Sequence, residues 1–161
     1  MIIIQAGPEH FRFEISWEEK ELLNVIRLYP HVPAAHHRLT KGRRIPDGAE
    51  NQQLLEYALQ SQREENRQLV AALLNEPARF AEIETGFRVD FTRGEIEWLL
   101  QVLNDVRVGS WIALGSPAGH PEMQPGLSNE TLSHIMTMDV AGFFEMAFLH
   151  ALTGEPLTGD A

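Results

Sequence analysis

The chain has 161 residues, of which 43% are hydrophobic, and a formal net charge of −10 at pH 7. These values predict one globular domain with its own core, and the negative charge argues against binding to nucleic acid. The absence of cysteine excludes disulfides, thiolate catalysis and cysteine-based zinc sites.

No apolar run approaches the roughly 20 residues that a membrane span needs. Residues 1–6 are apolar, but this run is too short for a signal peptide and lacks a basic flank. We therefore expect a cytoplasmic protein that binds no membrane.

Residues 1–15 have the pattern of a β-hairpin, because a β-rich segment (MIIIQA) is followed by Gly-Pro and then by the alternating segment FRFEI. Ser16 precedes Glu19 by three residues, which is the capping-box pattern of a helix start. We predict a helix over residues 16–29 that ends before Pro30. Residues 30–49, with three prolines and two glycines, predict a long loop.

Residues 50–75 predict the longest helix, in which two apolar patches flank the polar stretch 60–68 (QSQREENRQ). The middle of this helix is therefore expected to be solvated or to face a polar cleft. Pro77 at a first turn, followed by Phe80 and Ile83, predicts a short helix over residues 77–84.

The most apolar stretch predicts a central helix over residues 92–115, opened by a second capping box between Thr92 and Glu95. Its apolar surface covers more than half of its circumference, so we expect other elements to cover it on several sides. Residues 116–128 predict another long loop, and residues 129–152 a helix rich in Met and Phe. The fold class is mainly α: a single domain with a compact bundle of about four main helices and a small N-terminal β-hairpin.

Polar residues on the last two helices are expected to form a buried cluster. The members are Asn104, Asp105, Arg107, Asp139 and Glu145. As a functional site, such a cluster would form a ligand pocket or an acid/base site with perturbed pKa values. As a structural feature, Arg107 would pair with Asp139 or Glu145 and fix how the two helices pack, which we favour.

The loop after residue 35 contains a basic island suited to an anionic ligand or an acidic protein surface. Its candidate binding residues are His36, His37, Arg38, Lys41, Arg43 and Arg44. Together with His31, the two histidines match no established spacing of metal ligands, and His134 and Glu145 belong to no Glu-x-x-His pair. We predict no metal, no cofactor and no catalytic residue. Phosphate-loop, dinucleotide-binding and nucleophile-elbow motifs are missing, which argues against several enzyme classes.

The segment EIEWLLQVLNDVRVGSWIALGSP, followed some twenty residues later by MDVAGFFEMAFLHAL, resembles a bacterial family of uncharacterised proteins. Genes of this family often lie beside that of ClpS, the adaptor of the Clp protease. The resemblance rests chiefly on Leu103-Asn104-Asp105-Val106-Arg107 and the glycine-containing turn that follows. It implies a cytoplasmic bacterial helical protein that is accessory to regulated proteolysis, and it provides no catalytic residues.

Together these observations favour a non-enzymatic interaction or regulatory module with an unidentified protein partner. Its expected contact surfaces are the basic loop 36–44 and the polar middle of the 50–75 helix. Exposed apolar residues on the hairpin edge or the last helix would also support a homodimer. The alternative is a small-molecule-binding protein or an enzyme that uses the cluster between the last two helices.

Overall fold

The computed structural model describes residues 1–37 and 48–154. Within these ranges the fold is mainly α-helical, with one antiparallel sheet of four strands. The strands are β1 (Ile2–Ala6), β2 (His10–Ile15), β3 (Phe80–Ile83) and β4 (Gly86–Thr92). The α-helices are α1 (Trp17–Leu22), α2 (Gly48–Asn75), α3 (Arg93–Ala113) and α4 (Asn129–Thr153). Short 3-10 helices cover Leu23–Leu28, Ala34–His37 and Pro77–Arg79.

The sheet has the strand order β1-β2-β4-β3, so β2 and β4 lie at its centre. Alternation along these two strands directs one set of side chains into the core and the other to solvent. The inward set is Phe11, Phe13, Ile15, Phe87, Val89 and Phe91. On the outer face Arg12 pairs with Asp90 at 2.7 Å, and Arg88 pairs with Glu14 at 2.8 Å.

The predicted N-terminal hairpin is confirmed in part, since β1 pairs with β2 but both belong with β3 and β4 to one larger sheet. The predicted helix over residues 77–84 is wrong, because one 3-10 turn leads directly into β3, which pairs with β4. Four residues are too few for the spacing of Phe80 and Ile83 to distinguish a helix from a strand. Pairing with β4 makes this segment a strand.

Both predicted capping boxes are present and begin helices. The Ser16 hydroxyl accepts from the Glu19 N–H, and Thr92 does the same with Glu95, while each glutamate carboxylate accepts from its cap residue's N–H. The first helix is shorter than the predicted 16–29, because α1 ends at Leu22 and the chain continues as 3-10 helix to Leu28.

The core lies between the sheet and the antiparallel neighbours α3 and α4. Phe13, Phe91 and Phe148 meet edge to face there, with ring centroids 5.6–5.8 Å apart. Such pairs stabilise beyond the area they bury, by about 0.5–1.5 kcal/mol each. The buried residues of helix α3 form one stripe, in which Gly109 and Ser110 follow five apolar residues: Ile96, Leu99, Val102, Leu103 and Val106.

Helix α4 departs from one expectation. By length and composition α4 could cross a membrane, whereas we expected no apolar run of that length in the sequence. Of that apolar window 39% is buried within the fold, and core helices of globular domains pass the same test. Phe144 and Phe148 belong to the core, so the inner face of α4 is committed to this domain.

Among the described residues, helix α2 packs into the core through its C-terminal half. Its buried residues are Asn66, Val70 and Leu73, all in its C-terminal half. None of residues 48–62 is buried; we call this part the projecting half of α2. With 28 residues, the helix is about 42 Å long, so the projecting half extends about 20 Å.

Candidate functional site

Residues 29–32 run between α2 and α3 and are held there by side chains from both helices. The Asp105 carboxylate accepts from the backbone N–H of His31 at 2.6 Å and of Val32 at 3.2 Å. From the other side, Arg63 donates from Nη2 to the Val32 carbonyl at 2.8 Å. Hydrogen bonds to a charged group are stronger than those between neutral groups, so this short segment is firmly positioned.

A second contact joins the same three elements through Asn66, which is only 8% exposed. Its amide Nδ2 donates to the Tyr29 hydroxyl at 3.2 Å, and its Oδ1 accepts from the Trp98 indole N–H at 3.0 Å. A buried amide without partners would destabilise the fold. Through these two hydrogen bonds Asn66 specifically links α2 to Tyr29 and to Trp98 of α3.

The close approach of His31 to α3 depends on Gly109. A Cβ atom at this position would lie 2.6 Å from the His31 carbonyl carbon and its ring Cδ2, and 2.7 Å from its Cβ. Any residue other than glycine would displace the segment. A glycine inside the most apolar helix of the chain is therefore explained by packing.

His31 lies beside His134, with ring centroids 5.8 Å apart. Burial lowers the pKa of His31, the neighbouring His134 lowers it further, and Asp105 partly opposes both. His31 is therefore mainly neutral at pH 7. Within residues 1–37 and 48–154, its Nε2 and the Ser110 hydroxyl are buried atoms without a hydrogen-bond partner.

A groove of about 590 Å³ opens between this segment and the middle of α2. We call it the α2 groove. Its lining residues are Pro30, Ala34, Ala35, Glu56, Leu59, Gln60, Arg63, Glu64 and Arg67. The predicted polar middle of the long helix is thus partly solvated and partly lines a groove of mixed character, in which Arg63, Glu64 and Arg67 lie beside apolar side chains. Such a lining suits a peptide segment that has both apolar and charged side chains.

The predicted buried cluster on the last two helices is not one cluster. Asn104, Arg107 and Asp139 are exposed, and four of the five residues make three separate sets of contacts. Asp105 holds residues 31 and 32, Asp139 accepts from His120 at 2.8 Å, and Arg107 pairs with Glu145 at 3.0 Å. Residues near one another in sequence point to different sides of α3, which separates Asp105 from Arg107.

The Arg107–Glu145 pair matches the structural reading of the sequence, in which Arg107 bridges the two helices. Burial raises the pKa of Glu145, and Arg107 opposes that rise. The Arg107 side chain is half exposed, whereas that of Glu145 is largely buried. The cost of removing the Glu145 carboxylate from water is therefore larger than the gain from its attraction to Arg107.

The basic island lies mostly outside the described residues. Of its members, Arg38, Lys41, Arg43 and Arg44 are in the undescribed range 38–47, whereas His36 is exposed and His37 ends a 3-10 helix. Among described residues, no three of His, Asp or Glu are grouped to hold a metal ion.

Sequence reasoning missed the residues that build the site: Tyr29, Arg63, Asn66, Trp98 and Gly109. Of these, only Gly109 carries a local signal, since a glycine inside a helical pattern costs stability unless packing requires it. The chain matches no protein-family model, no curated protein and no solved structure. We therefore infer the function from the geometry of the site.

Proposed function

We propose that the chain is a non-enzymatic interaction or regulatory module that contacts a protein partner through the projecting half of α2 and the α2 groove. The observation that carries this proposal is the exposure of apolar side chains on an unpacked helix: Leu54 is 64% exposed and Tyr57 is 74% exposed. Leu55 and Leu59, spaced by four residues, are half-buried on another side of the helix, and Leu59 lines the α2 groove.

A helix in water gains most of its stability from packing its apolar face, and an unpacked half gains little from its own hydrogen bonds. Binding to a partner would bury Leu54 and Tyr57 and stabilise the helix in one step. Anchors at i and i+3, the spacing of these two residues, recur in helices that bind in a partner's groove. The groove beside it adds Arg63, Arg67 and Glu64 for charge-specific contacts with the same partner.

The basic residues Arg38, Lys41, Arg43 and Arg44 follow in sequence from Ala34 and Ala35, which line the groove. They remain part of the proposed contact surface, as does His36. An acidic partner surface is their natural complement. A cytoplasmic role accessory to regulated proteolysis follows from the family resemblance alone and belongs to the same proposal.

The second candidate function is binding of a small molecule in the α2 groove. Its volume of about 590 Å³ falls within the range of ligand pockets. An enzyme that uses the Asp/Arg/Glu cluster of α3 and α4 loses support, because among the described residues these side chains make separate contacts.

Matched variants on α2 test the proposal. Leu54→Glu introduces a charge into the exposed apolar surface, and Gln53→Glu adds the same charge at the adjacent exposed position. Proteins that co-purify with the wild-type chain are identified, and the affinity of each reconstituted complex is measured. We expect Leu54→Glu to weaken binding by about 10–100-fold, since a central anchor is worth 2 kcal/mol or more, and Gln53→Glu to change it less than about 3-fold.

Equal binding by both variants would contradict the proposal. If stringent co-purification returns nothing while a small-molecule thermal-shift screen gives a hit that Arg63→Ala removes, the second candidate replaces it. Helix content is checked by circular dichroism in each variant, so that a loss of binding is not a loss of fold.

A further inference from the structure

The outer face of α4 is apolar and exposed along most of its length. Met136, Phe143, Met146 and Leu149 are each 40–59% exposed. Together they leave on the order of 400 Å² of apolar surface open to water, in the range of the largest patch on a typical monomer, which is often functional. This face is opposite the one that carries Phe144 and Phe148 into the core.

The side chains on this face follow a regular spacing. Met136, Asp139, Phe143, Met146 and His150 stand at i, i+3, i+7, i+10 and i+14, which is the a/d repeat of a two-helix seam. Ala141, Phe144 and Phe148, which face the core, lie on the other side of α4, so this stripe has the spacing of a second helix-packing surface. It carries an acid toward its N-terminal end and a histidine toward its C-terminal end.

We propose that this stripe, the α4 seam, binds the α4 seam of a second copy of the chain in antiparallel orientation. Antiparallel pairing of a and d positions about an axis between Phe144 and Glu145 sets Phe143 against Met146 of the second copy. The same register sets Asp139 against His150 of the second copy, at both ends of the seam. The surface is therefore complementary to itself in shape and in polar character, as a two-fold symmetric interface requires.

Charge distinguishes a second copy from a membrane as the occupant. The face includes Asp139, which pairs with His120, and a carboxylate is costly to bury in lipid. The chain's net charge of −10 also opposes approach to anionic headgroups. Within a protein interface, by contrast, Asp139 gains a hydrogen-bonding partner from His150 of the second copy, and it keeps access to water at the rim.

The size of the seam sets the expected affinity. One helix pair buries less than the roughly 800 Å² per partner of a standard stable interface, so we expect a dissociation constant on the order of 1–100 µM. The dimer therefore forms or dissociates within an accessible range of protein concentration.

Sedimentation velocity across protein concentrations is the test, applied to the full chain and to matched variants. Met146→Glu places two carboxylates in the centre of the seam and is expected to weaken the dimer at least about 100-fold. Leu69→Glu adds the same charge at an exposed leucine of α2 and is expected to dimerise as the wild type does. A wild-type chain that stays monomeric at roughly 500 µM, or a Met146→Glu variant that dimerises normally, overturns the proposal.

Disulfide cross-linking tests the orientation, because the chain has no cysteine of its own. When the Asp139→Cys and His150→Cys variants are mixed and oxidised, the antiparallel register gives a disulfide between residue 139 of one copy and residue 150 of the other. A parallel pair would instead join residue 139 to residue 139 and residue 150 to residue 150, which would overturn the antiparallel register. Flotation with vesicles of phosphatidylcholine and phosphatidylglycerol tests the membrane alternative. If the monomeric wild-type chain floats with the vesicles and the Met146→Glu variant does not, the proposal is also overturned.

Discussion

Replacing Gly109 by alanine tests whether residues 29–32 are held against α3 as described. In an exposed helix interior this substitution would stabilise by about 1 kcal/mol, because alanine has the higher helix propensity. Here the new methyl group would lie 2.6 Å from the His31 carbonyl carbon, so the segment must move by about 1 Å to reach ordinary contact distance. That movement strains the hydrogen bonds from His31 and Val32 to Asp105.

Crowding of this kind costs about 1–3 kcal/mol, and partial weakening of the two hydrogen bonds to the charged acceptor adds about 2 kcal/mol in total. After the gain in propensity is subtracted, we expect Gly109→Ala to lower the free energy of unfolding by about 2–4 kcal/mol. For a domain of this size that corresponds to a fall in Tm of roughly 6–12 °C.

Gly142 offers the matched control, since it also lies inside a long helix and a Cβ there would meet nothing within 4 Å. Gly142→Ala is expected to raise the Tm by about 2–3 °C. Both variants are measured by urea and thermal unfolding at low micromolar concentration, so that self-association does not contribute. If Gly109→Ala is as stable as Gly142→Ala, residues 29–32 are not packed against α3 and the description of the α2 groove fails.

Two further substitutions examine the polar contacts of α3. Asp105→Ala leaves the N–H groups of His31 and Val32 without their acceptor and is expected to lower the free energy of unfolding by about 2–4 kcal/mol. Asn104→Ala, at the adjacent exposed position, is expected to change it by less than about 0.5 kcal/mol. Equal small effects of the two variants in urea unfolding would contradict the anchoring role of Asp105. Burial raises the pKa of Glu145, so the native state binds this proton at a higher pH than the unfolded state does. The resulting contribution to stability is therefore full below about pH 4 and declines as pH rises through the raised pKa. We therefore expect Glu145→Gln to be neutral or stabilising at pH 7 and to flatten the dependence of Tm on pH between about 4 and 7; a loss of more than about 2 kcal/mol at pH 7 would show instead that the Arg107–Glu145 pair stabilises the fold.

The sequence was most informative where a structural signal is local. The capping boxes at Ser16 and Thr92 define helix starts through hydrogen bonds within four residues, and both are present. Helix α3 follows from sustained apolar spacing, α2 from two apolar patches on either side of a polar stretch, and α4 from a segment rich in Met and Phe. β3 was missed because its four residues, Phe80–Ile83, are strand only through pairing with β4, a contact that no local pattern records.

The candidate site was less predictable for the same reason. Asp105 was recognised as a polar residue in an apolar helix, but its partners are backbone groups 73 and 74 positions away in sequence. Asn66 lies in a wholly polar stretch, so nothing local marks it as the one buried amide that joins α2 to Tyr29 and Trp98. Residues that act through distant contacts become visible only when the fold brings those contacts together.

Photo-cross-linking from α2 tests the proposed interaction surface most directly. A benzophenone amino acid replaces Tyr57, which is highly exposed and already aromatic, and a second variant has it at the exposed Glu82 of β3. We predict that irradiation in cells of the source organism yields a discrete adduct with another protein from position 57 and none from position 82. No adduct from position 57, or the same adducts from both positions, would contradict a role for the projecting half of α2 in binding a partner.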